Sequence, residues 1–274
     1  MTTPLIRQTS SLAFDVRDVT YRYDDVTALD RLSLSIRSGE RYALLGPNGS
    51  GKSTLLRILD GLDDPQGGSV LFCGSPLNQE RLQDEQFALK FRRRVGFVFQ
   101  DPDVQLFSPT VFDELAFGPL QLQWTRETTL RRVSEMMDRM EIAHLRHRSP
   151  HQLSLGEKKR VALASVLILD PEILLLDEPT AALDPRSESH MIEFLVSCKN
   201  SGRTVITASH DLGVAREIAD WCCIFQNGRV AAEGEPSAVL ADNALLERVN
   251  LARLPRNNAV SAITSPYNLD STLP

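Results

Sequence analysis

The stretch GPNGSGKST at residues 46–54 contains residue types that can hold a phosphorylated nucleotide. It fits the spacing G-x-x-x-x-G-K-[ST], follows the apolar run RYALLG and opens the helix-periodic stretch KSTLLRILDGL. Its glycines let the backbone turn so that N–H groups face a β-phosphate, while a lysine adds positive charge and a serine hydroxyl can reach Mg²⁺. We therefore predict a nucleotide-phosphate site formed by Gly46, Pro47, Asn48, Gly49, Ser50, Gly51, Lys52, Ser53 and Thr54.

A second candidate lies in EILLLDEPT, where two carboxylates follow a continuous apolar run. Asp177 could hold Mg²⁺, and Glu178 could polarise a water molecule as a general base. Without the phosphate loop this pair would be weak, because a strand end that meets solvent has the same pattern. The combination predicts a site for a nucleoside triphosphate.

The stretch HQLSLGEKKR at residues 151–160 has no nucleophile, metal-ligand spacing or glycine-rich loop of its own. Ser154 with Glu157 three residues later predicts a capping box at the start of a helix. Such a helix end directs free N–H groups and a positive dipole outward, which suits an anion. By itself, the pattern predicts no more than a helix cap.

The elements that must position these residues alternate between strands and helices. Residues 12–46 predict antiparallel strands that lead into a buried strand, and RRVGFVFQ, EILLLDEP and RTVITASH predict further strands. WCCIFQNGRVAAEG predicts a hairpin with Asn-Gly at its turn. Between about 101 and 169, helical periodicity covers FDELAFGPLQL, ETTLRRVSEMMDRMEI and SLGEKKRVALASVLIL.

The composition limits the class of protein. The chain has 274 residues, 42% of them apolar, with a formal net charge of -6, so it can form one large domain or two smaller ones and is not expected to bind nucleic acid generally. It contains neither a run of roughly 18–20 apolar residues nor a secretory signal pattern, which indicates a cytosolic chain. Its cysteines make no zinc or disulfide pattern, and Cys222 and Cys223 are expected in a buried strand.

Together, these motifs over roughly residues 12–240 resemble the ATP-binding subunit of ABC transporters. The resemblance also covers Gln100, the LSLGE signature at 153–157, AALD at 181–184 and His210 in ITASHD. Tyr23 stands where that family stacks an aromatic ring on adenine, with Tyr21 as the less favoured alternative. The fold class that the resemblance implies is α/β: a P-loop NTPase core with an antiparallel β subdomain and an inserted helical subdomain. It implies one nucleotide-binding domain over 12–250, followed by a flexible tail over 251–274.

The family resemblance implies ATP and Mg²⁺ as ligands, with Ser53, Gln100 and Asp177 at the metal and Lys52, Glu178 and His210 in catalysis. It also implies a dimer with a second copy or a paralogous subunit, contacted through Asp184. Ser154, Gly156 and Glu157 of one subunit would then complete the site of the other. Leu155 and Glu157 depart from the common form LSGGQ, whereas Ser154 and Gly156 keep it.

The segment QDPDVQLFSPTVFDELAFGPLQL resembles ATPases of energy-coupling-factor importers, in particular the cobalt/nickel branch. The implied partners are integral membrane subunits at the cytoplasmic face of the cell membrane, and the alternative solute is a vitamin. Four apolar side chains could line a docking groove for those subunits or form helical core: Phe107, Val111, Phe112 and Phe117. The histidine-rich run HLRHRSPH is interpreted as a loop, not a transport site.

Three other classes of protein are alternatives to a transporter ATPase. Soluble ABC ATPases usually carry two nucleotide domains or a long coiled-coil insertion, and this chain has one phosphate loop and a short insertion. A silent scaffolding subunit has no need of intact Lys52, Asp177, Glu178 and His210. A small-molecule kinase has no use for LSLGE. The ATPase of a transporter is therefore the preferred hypothesis.

Overall fold

The computed structural model describes residues 11–251, and the predicted tail lies outside this range apart from Leu251. Ten strands are present in the described range: β1 Leu12–Tyr23, β2 Val26–Arg37, β3 Arg41–Leu45, β4 Gly67–Phe72, β5 Ser75–Pro76, β6 Val95–Val98, β7 Ile173–Asp177, β8 Thr204–Ser209, β9 Trp221–Gln226 and β10 Arg229–Gly234. The helices of the same range are α1 Lys52–Leu59, α2 Gln79–Leu82, α3 Glu85–Arg94, α4 Val111–Gln121, α5 Arg126–Arg139, α6 Leu155–Leu167, α7 Pro185–Ser197, α8 Leu212–Ile218, α9 Pro236–Val239 and α10 Asn243–Arg248.

The first sheet is antiparallel, in the order β2-β1-β4-β5. Its register pairs Phe14 of β1 with Ile36 of β2 on one side and with Phe72 of β4 on the other. These residues are buried because alternate side chains of each strand face the core. The alternating pattern of the N-terminal segment therefore predicted this sheet correctly.

The second sheet has the order β10-β9-β3-β8-β7-β6. Strands β9, β3, β8, β7 and β6 run parallel, and β10 pairs antiparallel with β9 at the edge. Every residue of β3, β7 and β8 is buried, as expected for strands covered on both faces. The carboxyl ends of the parallel strands meet at one edge of the sheet, and this edge is where ligands bind in open α/β sheets.

The closing hairpin also follows the prediction. Asn227 and Gly228 both have positive φ, at 50° and 73°, which matches a two-residue turn whose twist suits the flanking strands. Cys222 and Cys223 lie within β9 and are fully buried, as expected from their apolar surroundings.

Helices α4, α5 and α6 lie where helical periodicity predicted them. Their apolar faces form one cluster together with side chains of β7 and α7, so this helical layer packs against one face of the parallel sheet. The cluster includes Val111, Val133 and Val161. This packing places the start of α6 near the carboxyl edge of the parallel sheet, beside the residues that adjoin the phosphate loop.

Several helices were not predicted, namely α2, α3, α9 and α10. In α3 only Ala88 and Phe91 are buried, so the apolar repeat is too sparse to stand out in the sequence. The basic run at 90–94 forms the last turn of α3, where positive charge complements the carboxyl end of the helix dipole. Among residues 11–251, no helix combines the length and apolar character needed to cross a bilayer.

Candidate functional site

The phosphate loop connects β3 to α1, and its conformation requires glycine. Gly51 has φ 105°, and a β-carbon there would lie 2.5 Å from the carbonyl oxygen of Ala28. A β-carbon at Gly46 would lie 2.6 Å from both the Phe225 carbonyl oxygen and Ser50 Oγ. The loop is thus pressed against β2 and β9, and only a residue without a side chain fits at these two positions.

Lys52 is buried at the start of α1, and its ammonium turns back onto the loop. Nζ donates to the carbonyl oxygens of Gly46 at 2.7 Å and Pro47 at 3.2 Å. It also lies 3.9 Å from Glu178 Oε1. Burial lowers the pKa of Lys52, and the nearby Glu178 and Asp177 carboxylates oppose that shift. The loop therefore holds a desolvated positive charge in a backbone cradle.

Ser53 connects this loop to the end of β7. Its hydroxyl donates to Asp177 Oδ1 at 3.0 Å. Burial raises the pKa of the Asp177 carboxyl, and the hydrogen bond from Ser53 opposes the shift. A hydroxyl and a carboxylate oxygen in contact are hard oxygen ligands of the kind that Mg²⁺ prefers.

Glu178 follows β7 in an unusual backbone conformation, with φ 45°. Its N–H donates to the Ala208 carbonyl oxygen of β8 at 3.0 Å. Its Oε2 lies 3.0 Å from Nδ1 of His210, which follows β8 directly. The carboxylate is buried and can act on a water molecule as a base, while the imidazole fixes its orientation.

Two buried oxygens of the site have no hydrogen-bond partner among the described residues: Glu178 Oε1 and Ser50 Oγ. Buried polar atoms are almost always satisfied, so orphaned ones indicate a missing partner such as a ligand or water. Both atoms lie in the segments predicted to contact a nucleotide. The residues present therefore fit a bound nucleotide with its metal.

The helix α6 begins with the predicted capping box. Ser154 Oγ accepts from the Glu157 N–H, and Glu157 Oε2 accepts from the Ser154 N–H at 2.8 Å. The hydrogen bonds from Ser154 lower the pKa of the Glu157 carboxyl. Ser154 and Leu155 are exposed, so this end of α6 is presented to solvent in the single chain.

Gly156 and Asp184 bring the start of α6 against the start of α7. A β-carbon at Gly156 would lie 2.5 Å from Ser187 Oγ, so the two helices approach closely there. Asp184 caps α7 by accepting from the N–H groups of Arg186 and Ser187. The Ser187 hydroxyl also donates to Asp184 at 2.6 Å, and this bond, followed by the backbone bonds, lowers the pKa of the Asp184 carboxyl. The signature end and the predicted dimer loop thus form one exposed surface.

Gln100 and Tyr23 lie at the edges of the site. Gln100 is exposed two residues after β6 ends, although the sequence had placed it at the end of the strand itself. Tyr23 ends β1 and is exposed, and its ring makes an edge contact with Tyr21 at 4.9 Å between centroids. Both positions remain predictions for ligand contact.

The structure adds residues that sequence reasoning missed. Lys159 of α6 is buried, and its Nζ donates to three carbonyl oxygens of the segment after β7. Gln105 accepts from the Phe99 N–H and donates to the Ala162 carbonyl oxygen, which ties the segment after β6 to α6. In the sequence Lys159 stands in the charged run EKKR at 157–160, so no signal distinguishes it from a solvated lysine.

The four side chains considered for a docking groove divide into two pairs. Phe107 and Phe117 are 63% and 44% exposed, and their rings meet edge to face at 4.9 Å. Val111 is fully buried, and Phe112 packs on the helical cluster beneath the guanidinium of Arg146. The first pair therefore forms surface and the second pair forms core.

Comparison with known proteins shows the family to which this chain belongs. The family described as "ABC transporter" matches residues 29–181. The nickel import ATP-binding protein NikO of Rhodobacter capsulatus is 54% identical over 242 residues, which cover 87% of this chain and 95% of that protein. The energy-coupling factor transporter ATP-binding protein EcfA of Carboxydothermus hydrogenoformans is 43% identical and covers 88% of this chain, with 87% of its own length matched.

A solved structure matches as well. The dimeric post-hydrolysis state of the ATP-binding cassette MJ0796 bound to ADP and Pi has a TM-score of 0.73 and 30% identity, covering 81% of this chain and 98% of that one. The chain belongs to the ABC transporter family and is an ATPase of the ATP-binding-cassette fold.

Proposed function

We propose that this chain is the ATP-hydrolysing subunit of a membrane importer for nickel or cobalt ions, bound to the cytoplasmic face of the cell membrane through integral membrane subunits. The observation that carries the proposal is the set of contacts that joins Lys52, Ser53, Asp177, Glu178 and His210 at the carboxyl ends of three adjacent strands. Lys52, Asp177 and Glu178 of this set are buried. The 54% identity to a nickel import ATP-binding protein supports the choice of solute.

Each residue of this group has a distinct role in the proposed reaction. Lys52 and the N–H groups of the phosphate loop bind the β- and γ-phosphates of ATP. Glu178 accepts a proton from the attacking water, and His210 holds its carboxylate in place. Ser53, Asp177 and Gln100 would hold Mg²⁺, which supplies charge stabilisation on the phosphates when it is bound. Tyr23 is proposed to stack on adenine.

The exposed start of α6 supports a dimer in which two nucleotide sites are completed in trans. Ser154 and Gly156 would contact the γ-phosphate held by the other subunit, with Asp184 at the contact between the two chains. The free N–H groups at a helix start favour an anion there. The relative of known structure that is dimeric with ADP and Pi bound agrees with this arrangement. We propose residues 12–250 as the single nucleotide-binding domain.

The exposed pair Phe107 and Phe117 supports a docking surface for the membrane subunits. Buried Glu114 accepts from the N–H groups of Phe107 and Ser108 at 3.0 and 2.8 Å. These hydrogen bonds hold the backbone that carries the exposed Phe107 ring. Two further apolar side chains of the same subdomain are exposed, that of Val104 at 69% and that of Leu120 at 54%. Apolar patches of this kind are typical of protein interfaces.

The test is uptake of labelled nickel and cobalt by host cells that lack this chain. Wild type should restore uptake, and Glu178→Gln should not, because the amide cannot accept the proton of water. Glu217→Gln is the matched control, since Glu217 is exposed on α8 and is not one of the site residues. Unchanged metal uptake in the deletion strain would exclude these solutes and direct the same assay to vitamins, the alternative cargo.

A second experiment tests closure between subunits. Glu178→Gln should bind ATP without hydrolysing it and therefore accumulate as a dimer, which light scattering detects with ATP and Mg²⁺. A monomer under these conditions would show that two copies of this chain do not pair, so that either a paralogous subunit supplies the second signature or the site is not completed in trans.

A further inference from the structure

Lys159 lies in the second turn of α6 and directs its charge into the protein. Its side chain is only 4% exposed. Nζ donates to the carbonyl oxygens of Glu178 at 2.9 Å, Pro179 at 3.3 Å and Ala181 at 2.8 Å. A lysine ammonium has three protons, so these contacts use its whole donor capacity on one short stretch of backbone.

That stretch contains two strained positions. Glu178 has φ 45° and Ala182 has φ 57°, both in the left-handed region that residues with a β-carbon rarely adopt. Such conformations persist only where surrounding contacts hold them, and they cluster at functional sites. The carbonyl groups between these two positions are the ones that Lys159 binds.

The contacts around Glu178 fix it from three sides. Its N–H is held by the Ala208 carbonyl oxygen, its carboxylate by His210 and its own carbonyl oxygen by Lys159. The first two partners belong to the β8 end, whereas Lys159 belongs to the helix that begins with the exposed capping box at Ser154. The orientation of the peptide after Glu178 therefore depends on the position of α6.

We propose that Lys159 is a positioning residue for Glu178: its three hydrogen bonds set the backbone from Glu178 to Ala181, and so aim the carboxylate and couple it to the signature end of α6 in the same subunit. This inference rests on the proposed role of Glu178 as the general base. In this proposal Lys159 contacts neither ATP nor the attacking water and acts on the reaction through Glu178.

The neighbouring Lys158 lies on the same helix but makes a different kind of contact. Lys158 donates to the Asp103 carboxylate at 2.6 Å, and Asp103 is half exposed. An ion pair with a solvated partner contributes little and carries no contact to the segment after β7. Lys158→Met is therefore the matched control for Lys159→Met, in the same helix and with the same change of side chain.

The experiment measures kcat and KM for ATP with the full chain and Mg²⁺. We expect Lys159→Met to lower kcat by about 100-fold, the size of effect that a misplacement of about 1 Å produces. KM should stay within about threefold, because the phosphate loop is untouched. Lys158→Met should keep the wild-type values. A kcat for Lys159→Met equal to that of Lys158→Met would overturn the proposal, as would a rise in KM at unchanged kcat.

Two further measurements separate positioning from a general loss of structure. In a Glu178→Gln background, adding Lys159→Met should leave the affinity for a fluorescent ATP analogue within about twofold, because the proposed effect runs only through the carboxylate. A weaker affinity would assign Lys159 a merely structural role. If Lys159→Met does not fold, Lys159→Gln serves instead: it keeps N–H donors on a shorter side chain and should show a smaller fall in kcat, and an unchanged kcat overturns the proposal.

Glu178→Gln alone distinguishes this inference from the function on which it rests. Loss of hydrolysis in Glu178→Gln together with normal kcat in Lys159→Met would reject the positioning role and keep the base. Hydrolysis by Glu178→Gln at the wild-type rate would reject Glu178 as the base, and the positioning role with it.

Discussion

Ser53 Oγ donates to Asp177 Oδ1 at 3.0 Å across 124 positions of the chain. The bond joins the phosphate loop to the end of β7, so the residue that follows the loop lysine contacts the residue that precedes the proposed base. β7 is not adjacent to β3 in the sheet, and β8 lies between them. The contact therefore reaches across a strand at the edge where the nucleotide is proposed to bind.

This contact predicts the behaviour of Asp177→Asn. An amide is a weaker ligand for Mg²⁺ than a carboxylate, and we expect the Mg²⁺ concentration for half-maximal hydrolysis to rise by at least about tenfold. Steady-state ATPase assays across a magnesium titration measure this. ATP binding in the presence of a chelator should match wild type, and an unchanged magnesium dependence would remove Asp177 from the metal site.

His210→Ala should lower kcat by about 100-fold, the lower end of what a positioned acid–base partner contributes. The physical reason is the 3.0 Å contact between His210 Nδ1 and Glu178 Oε2, without which the carboxylate has no imidazole to orient it. His147→Ala is the control, because His147 is exposed on the loop before α6. Equal hydrolysis rates for the two variants would contradict the assigned role.

Glu157→Ala should reduce the free energy of unfolding by about 1 kcal/mol, as expected for loss of a helix cap. The hydrogen bonds from Ser154 hold the pKa of Glu157 below its ordinary value of 4.5. A lowered folded-state pKa means that the stabilisation is present above the ordinary pKa and is lost as the pH falls through the folded value.

Urea denaturation of wild type and Glu157→Ala at a series of pH values checks this. The difference between the two proteins should be full at neutral pH and should shrink in acid. Glu135→Ala, at an exposed position in the middle of α5, is the control for removing a glutamate from a helix surface. A difference that persists unchanged into acid would assign the loss to side-chain packing.

Asp60, at the end of α1, gives a pH effect of opposite sign. Burial raises its pKa from 3.8 to about 7, against the opposing charges of Arg92 and Arg57. A raised folded-state pKa favours the protonated form, so its contribution to stability is present below the ordinary pKa and is lost as the pH rises through about 7.

Asp60→Asn removes that titration. We expect the free energy of unfolding of the variant to fall less than that of wild type between about pH 5 and about pH 8. Denaturation curves at both pH values measure the difference, and Asp138→Asn, an exposed position of α5, should behave as wild type. Parallel pH dependence in wild type and Asp60→Asn would show that Asp60 is solvated.

The helices and strands that were predicted share a strong local pattern. β3, β7 and β8 are continuous apolar runs, and α6 begins with a capping box, so neighbouring residues alone determine these elements. The helices α3 and α10 escaped prediction because each buries only two side chains. Their positions depend on what they pack against and not on an apolar repeat of their own.

The sequence by itself determined the phosphate loop, since nine consecutive residues contain its glycines, lysine and hydroxyls in a spacing that permits one chemistry. It also placed a carboxylate pair at a strand end. Only the tertiary structure decided that Ser53 meets Asp177, that Glu178 meets His210, and that Lys159 holds the backbone between Glu178 and Ala181. These contacts follow from the order in which parallel strands pair and from the depth at which α6 packs, and both are settled by burial of the whole core.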